Sequence, residues 1–243
     1  MNIKYLSLTL ALILFTGCGG SSSSSKKNDG KGEIDLAQYY PEKSMTKTFL
    51  ATERDGEDSE RSHYDQIVEV VGQTIIFTED TKEVRKVVFS DTNITITEDG
   101  EITSTYRHID IGDTLFSEKF EQIVSTVAVG KVITDMAIEC KLVNKVEQFE
   151  HGDNKYKGDL LKIECITEGK VTTEVKAELV DVVRDDVNGS HTIYDKSYVY
   201  LKKGLGLVAR VNNDCVPNAD LPYVNDKAKE CTKEQYEHEF YLP

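Results

Sequence analysis

The sequence has no tryptophan and no surplus of positive charge: Lys and Arg total 29 against 43 Asp and Glu, a formal net charge of −14. Phosphate backbones repel such a chain, and its longest basic run is Lys26-Lys27, so nucleic-acid binding is not expected. No hydrophobic run reaches the roughly 20 residues that a spanning helix needs. No G-x-S-x-G elbow, H-E-x-x-H pair, C-x-x-C motif or glycine-rich phosphate loop occurs. Gly204-Leu205-Gly206 lacks the third glycine and a following helix. These absences remove the common serine hydrolase, zincin, structural-zinc and nucleotide-binding readings. No period of 20 to 50 residues repeats, which disfavours solenoids and propellers.

What is present begins at the N-terminus. Lys4 gives a positive start, and Leu6 to Phe15 is an apolar run interrupted only by Ser7 and Thr9. This has the size, charge and position of an export signal. Phe15-Thr16-Gly17-Cys18 follows and resembles the lipobox of bacterial lipoproteins, with Phe15 where that family usually has Leu. The resemblance implies removal of residues 1–17 and diacylglyceryl and acyl modification of Cys18. Several acyl chains make anchoring effectively permanent, at about 0.8 kcal/mol per buried methylene. Gly19, where retained enterobacterial lipoproteins have Asp, favours the outer membrane. Residues 18–33 then hold the lipidated cysteine and a Gly/Ser-rich tether, which behaves as a flexible coil.

Four of the five cysteines lie further on: Cys140, Cys165, Cys215 and Cys231. In an exported chain an even remainder points to disulfides. The runs 138–150 and 160–167 alternate in hydrophobicity around the turn cluster His151-Gly152-Asp153-Asn154. Ile138, Cys140, Leu142 and Val146 are expected on one face. A loop centred on Gly152-Asp153 sets Cys140 opposite Cys165, Lys141 opposite Glu164 and Leu142 opposite Ile163. One register thus aligns two thiols, an ion pair and two aliphatic residues. A bulge near Gly158 would spoil it. Cys215 and Cys231 then pair by elimination, closing a loop rich in Pro, Asn and Asp.

The rest reads as all-β. Thr48 to Arg54, Tyr64 to Val71, Thr74 to Thr78 and Val84 to Ser90 are short strands between turn clusters, with Gly72-Gln73 as a tight hairpin. A three-residue loop Glu98-Asp99-Gly100 is expected, because it sets Ile96 opposite Ile102. Asn188-Gly189 is the strongest hairpin signal and is expected to join the alternating run 171–179 to the strand Thr192–Lys202. Asp35–Tyr40, ended by Pro41, reads as a short helix; Ser117–Ser125 reads as helix or strand. About twelve strands with short connections predict a meandering antiparallel sheet, strongly curved, half-barrel or barrel-like, forming one domain over 34–243. Lys157 to Ile163 and Tyr198 to Val208 resemble segments of bacterial exported curved-sheet β-proteins, distantly like half-barrel lipoprotein carriers; the resemblance supports the fold.

No set of residues assembles catalytic chemistry. Ser190 and His191 are strand neighbours and point to opposite faces. His63, His108, His151, His191 and His238 are scattered and read as surface residues of strands and turns. Two acidic clusters (Asp55, Glu57, Asp58 and Glu60; Asp181, Asp185 and Asp186) do not fit a calcium loop and read as solvated turns. Tyr194, Tyr198 and Tyr200 share one sheet face, with Val199 and Leu201 on the other. The expectation is a non-enzymatic envelope lipoprotein without cofactor or metal. Its partners are the membrane, through Cys18, and a protein or apolar ligand. The alternatives are a carrier or sensor for a hydrophobic ligand in the concave sheet and, less favoured, a carboxylate-based hydrolase.

Overall fold

A computed structural model describes residues 32–55, 58–126, 130–175, 189–212 and 235–243. In chain order the strands are β1 (Ile34–Asp35), β2 (Met45–Asp55), β3 (Asp58–Val71), β4 (Thr74–Glu79), β5 (Lys82–Phe89), β6 (Asn93–Glu98) and β7 (Glu101–Tyr106). They continue with β8 (His108–Ile109), β9 (Thr114–Thr126), β10 (Gly130–His151), β11 (Asn154–Val175), β12 (Gly189–Lys202), β13 (Gly206–Asn212) and β14 (Gln235–Leu242). The expected helix is a single 3-10 turn, Leu36–Tyr39, with the Asp35 carboxylate accepting from the Ala37 N–H. The ambiguous run at 117–125 is strand.

Twelve strands form one antiparallel sheet in the order β7-β6-β5-β4-β3-β2-β14-β13-β12-β11-β10-β9. The chain runs up and down from β2 to β7, restarts at β9, and returns through β14 to pair with β2. The fold is therefore an up-and-down β-barrel, nearly closed. Its one gap lies between β7 and β9, whose Cα atoms come within 8 Å without forming a ladder. Residues 107–113 cross that gap at one end of the barrel, where β8 pairs with β1.

One face of each strand points into the barrel. Val68, Ile75, Val87 and Ile94 from β3–β6 meet Phe116, Ile138, Cys140, Ile163 and Val199 from β9–β12 in one buried cluster. Leu36 and Tyr39 of the 3-10 turn complete it, so this end of the lumen is packed with the chain's own side chains. Arg107 clamps the turn in place through two 2.8 Å bonds to the Asp35 carboxylate.

The β10–β11 ladder pairs Cys140 with Cys165, Lys141 with Glu164 and Leu142 with Ile163, as the alternation predicts, and the two cysteines are disulfide-bonded. The ladder carries two irregularities, between Leu142 and Asn144 and between Val146 and Gln148, the latter opposite Gly158. They bend the hairpin, and its tip lies on the sheet's outer face. Phe149 stacks on Tyr200 at 3.8 Å, and the Tyr156 hydroxyl donates to the Tyr241 carbonyl. A second cluster, Tyr156, Leu160, Tyr200, Val208, Ala209, Val211 and Phe240, is buried beneath this flap. Val146 packs against that cluster and not with Cys140 and Leu142, because the intervening bulge reverses its facing.

Two turn expectations are corrected. The β6–β7 loop has two residues: Glu98 pairs with Glu101 and Ile96 with Thr103. Asp99 and Gly100 both have positive φ, 47° and 87°, the geometry of a turn whose twist matches the strands. Turn geometry outweighs Ile–Ile pairing here, and Ile102 is left 63% exposed. Asn188-Gly189 does not close a two-residue hairpin. Gly189 lies opposite Thr173 and starts β12, and the pairing continues unbroken to Leu160 opposite Lys202. The longer ladder, with its aliphatic and ionic pairs, outweighs the local turn signal.

Candidate functional site: a charged layer in the lumen

The barrel interior is stratified. Beyond the apolar cluster, the inward positions of β2, β3, β13 and β14 become polar. Met45, Lys47 and Phe49 alternate on the inner face of β2, and Lys47 is 1% exposed. Its ammonium donates to the Leu205 carbonyl at 3.2 Å and to the Leu207 carbonyl. It also stands 4.8 Å from the ring centre of Phe49 and 5.0 Å from that of Tyr241.

The local sequence explains this placement. The β13–β14 ladder is short, pairing Ala209 to Val211 with Phe240 to His238. The long lysine side chain reaches the carbonyls beyond the end of that ladder, where an unmade bond would cost a desolvation penalty.

Glu239 lies beside Lys47. The Tyr64 hydroxyl donates to its Oε1, and Arg210 Nη1 is 3.8 Å from Oε2. Burial pushes the Lys47 ammonium down to about 7, with the Glu239 charge opposing. Burial likewise pushes the Glu239 carboxyl up to about 7, with Lys47 opposing. Both groups therefore titrate near neutrality inside the fold. Across the lumen, Arg85 makes a two-point pair with Glu98, which is 2% exposed, while Gln66 donates to Glu79 at 2.7 Å. An open depression of about 370 Å³ lies at this end, lined by residues including Lys82, Arg85, Thr97 and Asp99.

Chemically this layer is a set of fixed ion pairs. The Lys47 ammonium is held by two carbonyls, which leaves it poorly placed as a nucleophile. A further buried carboxylate oxygen lies at the gap between β7 and β9. Glu118 is pushed up by burial and by the charge of Glu101, and its Oε2 is buried without a hydrogen-bond partner. Thr103 Oγ1, on the facing strand, is also buried without one. Neither this spot nor the Lys47 layer was legible from spacing. Their members lie far apart in sequence, and the inward Lys and Glu positions read as ordinary polar residues of alternating strands.

The structure brings Cys140 and Cys165 together; Cys18, Cys215 and Cys231 lie outside the described residues, as do Asp181, Asp185, Asp186 and Glu57. Asp55 and Asp58 are register partners at the end of the β2–β3 ladder. Of the tyrosines, Tyr200 lies on the outer face under the flap and so does not line the concavity; Val199 does. The histidines are less scattered than their sequence positions imply. His151 at the flap tip meets His238 of β14 at 4.5 Å, edge to face, with Phe240 stacked alongside at 5.3 Å from His151. His238 is buried, so its assignment as a surface residue is corrected. Among the described residues, no three His, Cys, Asp or Glu side chains converge as metal ligands. No described helix is long and apolar enough to cross a membrane.

The fold and this layer define an antiparallel up-and-down barrel with an ion-paired interior. In comparisons with known proteins, no family model, curated protein or solved structure matches the chain.

Proposed function

We propose that the chain is a lipid-anchored envelope lipoprotein whose barrel is a non-enzymatic binding or assembly module. The observation that carries this reading is the cross-strand disulfide between Cys140 and Cys165. Such bonds persist in oxidising compartments, which agrees with an export signal ending in Phe15-Thr16-Gly17-Cys18. Acyl chains on Cys18 hold the domain at its membrane, and Gly19 favours the outer one. The partner is a protein or apolar ligand bound at the barrel surface. Carriage of a hydrophobic ligand inside the barrel has less support, since Leu36 and Tyr39 occupy the apolar lumen. A hydrolase reading has less support, since it would rest on Glu118, whose carboxyl is pushed up by burial and by the charge of Glu101.

The test is fractionation of cells expressing the full chain. The native protein is expected in the membrane fraction with a mass showing acylation, and Cys18→Ser is expected in the soluble fraction. Unchanged fractionation of Cys18→Ser, or an unprocessed native chain, refutes the anchor.

A further inference from the structure

The described residues expose seven large hydrophobic side chains, and four of them (Val71, Val88, Tyr106 and Ile111) gather at one end of the barrel wall. Val71 and Val88 flank Thr74 on the outer face, since Thr74 pairs with both. Tyr106 ends β7 at the same end, and Ile111 lies in the connection that follows. Val71 is 65% and Ile111 56% exposed, values at which an isolated domain gains nothing from apolar side chains.

The N-terminal segment enters at this same end. Ile34 pairs with Ile109, and the Glu33 N–H donates to the Asp110 carboxylate at 3.0 Å. Gly32 lies so close to Ile109 that an added Cβ would stand 2.0 Å from a backbone carbon, so only glycine fits there. The chain outside the described residues thus departs beside Ile111. Cys18 is 14 residues before Gly32 in a Gly/Ser/Lys-rich stretch, and flexible segments of that composition and length reach about 20 Å. Lipid chains on Cys18 therefore keep this rim within reach of the headgroups.

We infer that the Val71–Val88–Tyr106–Ile111 rim docks onto the bilayer that holds Cys18, setting the barrel with its opposite end away from the membrane. This inference rests on the lipid-anchor reading. Exposed Glu69, Asp91 and Asp110 border the rim, so the surface it suits is zwitterionic, not anionic. The apolar side chains enter the interfacial region, and the acyl anchor makes that contact intramolecular, raising its effective concentration.

The sequence has no tryptophan, so a single introduced indole reports its own position. The full acylated chain carrying Ile111→Trp, Val71→Trp or Ile123→Trp is reconstituted in phosphatidylcholine vesicles with lipids brominated near the headgroup. Ile123 is similarly exposed, at 59%, but lies toward the far end of β9. Emission from Ile111→Trp and Val71→Trp is expected to fall at least twofold, while that from Ile123→Trp is nearly unchanged. Floating, acylated protein in which all three indoles are unquenched, or equally quenched, overturns the rim docking and leaves the anchor intact. Concentration-dependent, bromide-insensitive blue shifts at 111 and 71 would assign the rim to a second copy and also overturn it. A chain that carries no acyl group refutes both readings.

Discussion

Val143 and Gly158 lie on opposite strands of one hairpin, each at a bulge, and the two irregularities cancel. Counting from the Gly152-Asp153 turn, the extra residue at Gly158 shifts the pairing by one, and the extra residue at Val143 restores it before Cys140 reaches Cys165. The disulfide therefore sits in the register that an uninterrupted hairpin would have, while the tip is turned onto the outer face of β12 to β14. One device supplies both the cross-link and the cover for Tyr200 and Phe240.

Removing Val143 tests this directly. Without it Leu142 still falls opposite Ile163, so the disulfide is expected to form, and the oxidised mass should be retained. The hairpin loses part of its bend, which uncovers the cluster around Tyr200. Binding of a hydrophobic dye should rise severalfold over the native chain. Unchanged dye binding would mean that the flap does not depend on the bulge.

Replacing Cys140 and Cys165 by alanine releases a link across 25 residues. On the chain-entropy model this costs about 3.5 kcal/mol. Denaturant titration of the double variant, compared with the oxidised native domain, measures the loss. A midpoint that does not move would show that the hairpin is already ordered in the unfolded chain.

The Lys47–Glu239 layer gives a pH profile with a definite sign. Lys47 is depressed from 10.5 to about 7, so between those values the unfolded chain holds a proton that the folded one has lost, and stability rises with pH. Glu239 is raised from 4.5 to about 7, so between those values the folded state holds the extra proton, and stability falls as pH rises. The contribution of the two groups is thus lowest near pH 7. Each limb has a slope of up to about 1.4 kcal/mol per pH unit. Lys47→Met should flatten the alkaline limb and Glu239→Gln the acid limb in urea titrations at pH 5, 7 and 9.

Arg107 holds the Asp35 carboxyl below its ordinary value of 3.8, so the stability from this pair is present above that value and lost as pH falls through the lowered one. Arg107→Leu is expected to cost about 2 kcal/mol at pH 7, in the range of charge-assisted bonds, and to free the 3-10 turn from the lumen. Hydrogen exchange should quicken at Leu36 to Tyr40 before it does in the β10–β11 ladder. Equal acceleration in both would mean that the clamp serves the whole fold and not the turn.

Sequence alone determined the β character, the meander of about twelve strands and the pairing of Cys140 with Cys165. These follow from period-two alternation and short-range turn chemistry, which act between residues near in the chain. The Gly72-Gln73 hairpin was legible for the same reason, while the helix expected over Asp35–Tyr40 is a single 3-10 turn. The β6–β7 loop follows the twist preference of Asp99-Gly100 and not the pairing of Ile96 with Ile102, so hydrophobic matching alone does not set its length.

Tertiary structure decided what depends on closure. Which alternating face points inward is unambiguous only once β14 joins β2, because a curved sheet has two candidate faces until it wraps. The burial of Lys47, its carbonyl partners, the approach of β7 to β9 across the gap, and the contact of His151 with His238 all join residues remote in sequence. No local pattern encodes such contacts; the curvature of the whole barrel, with the bend of one hairpin, creates them.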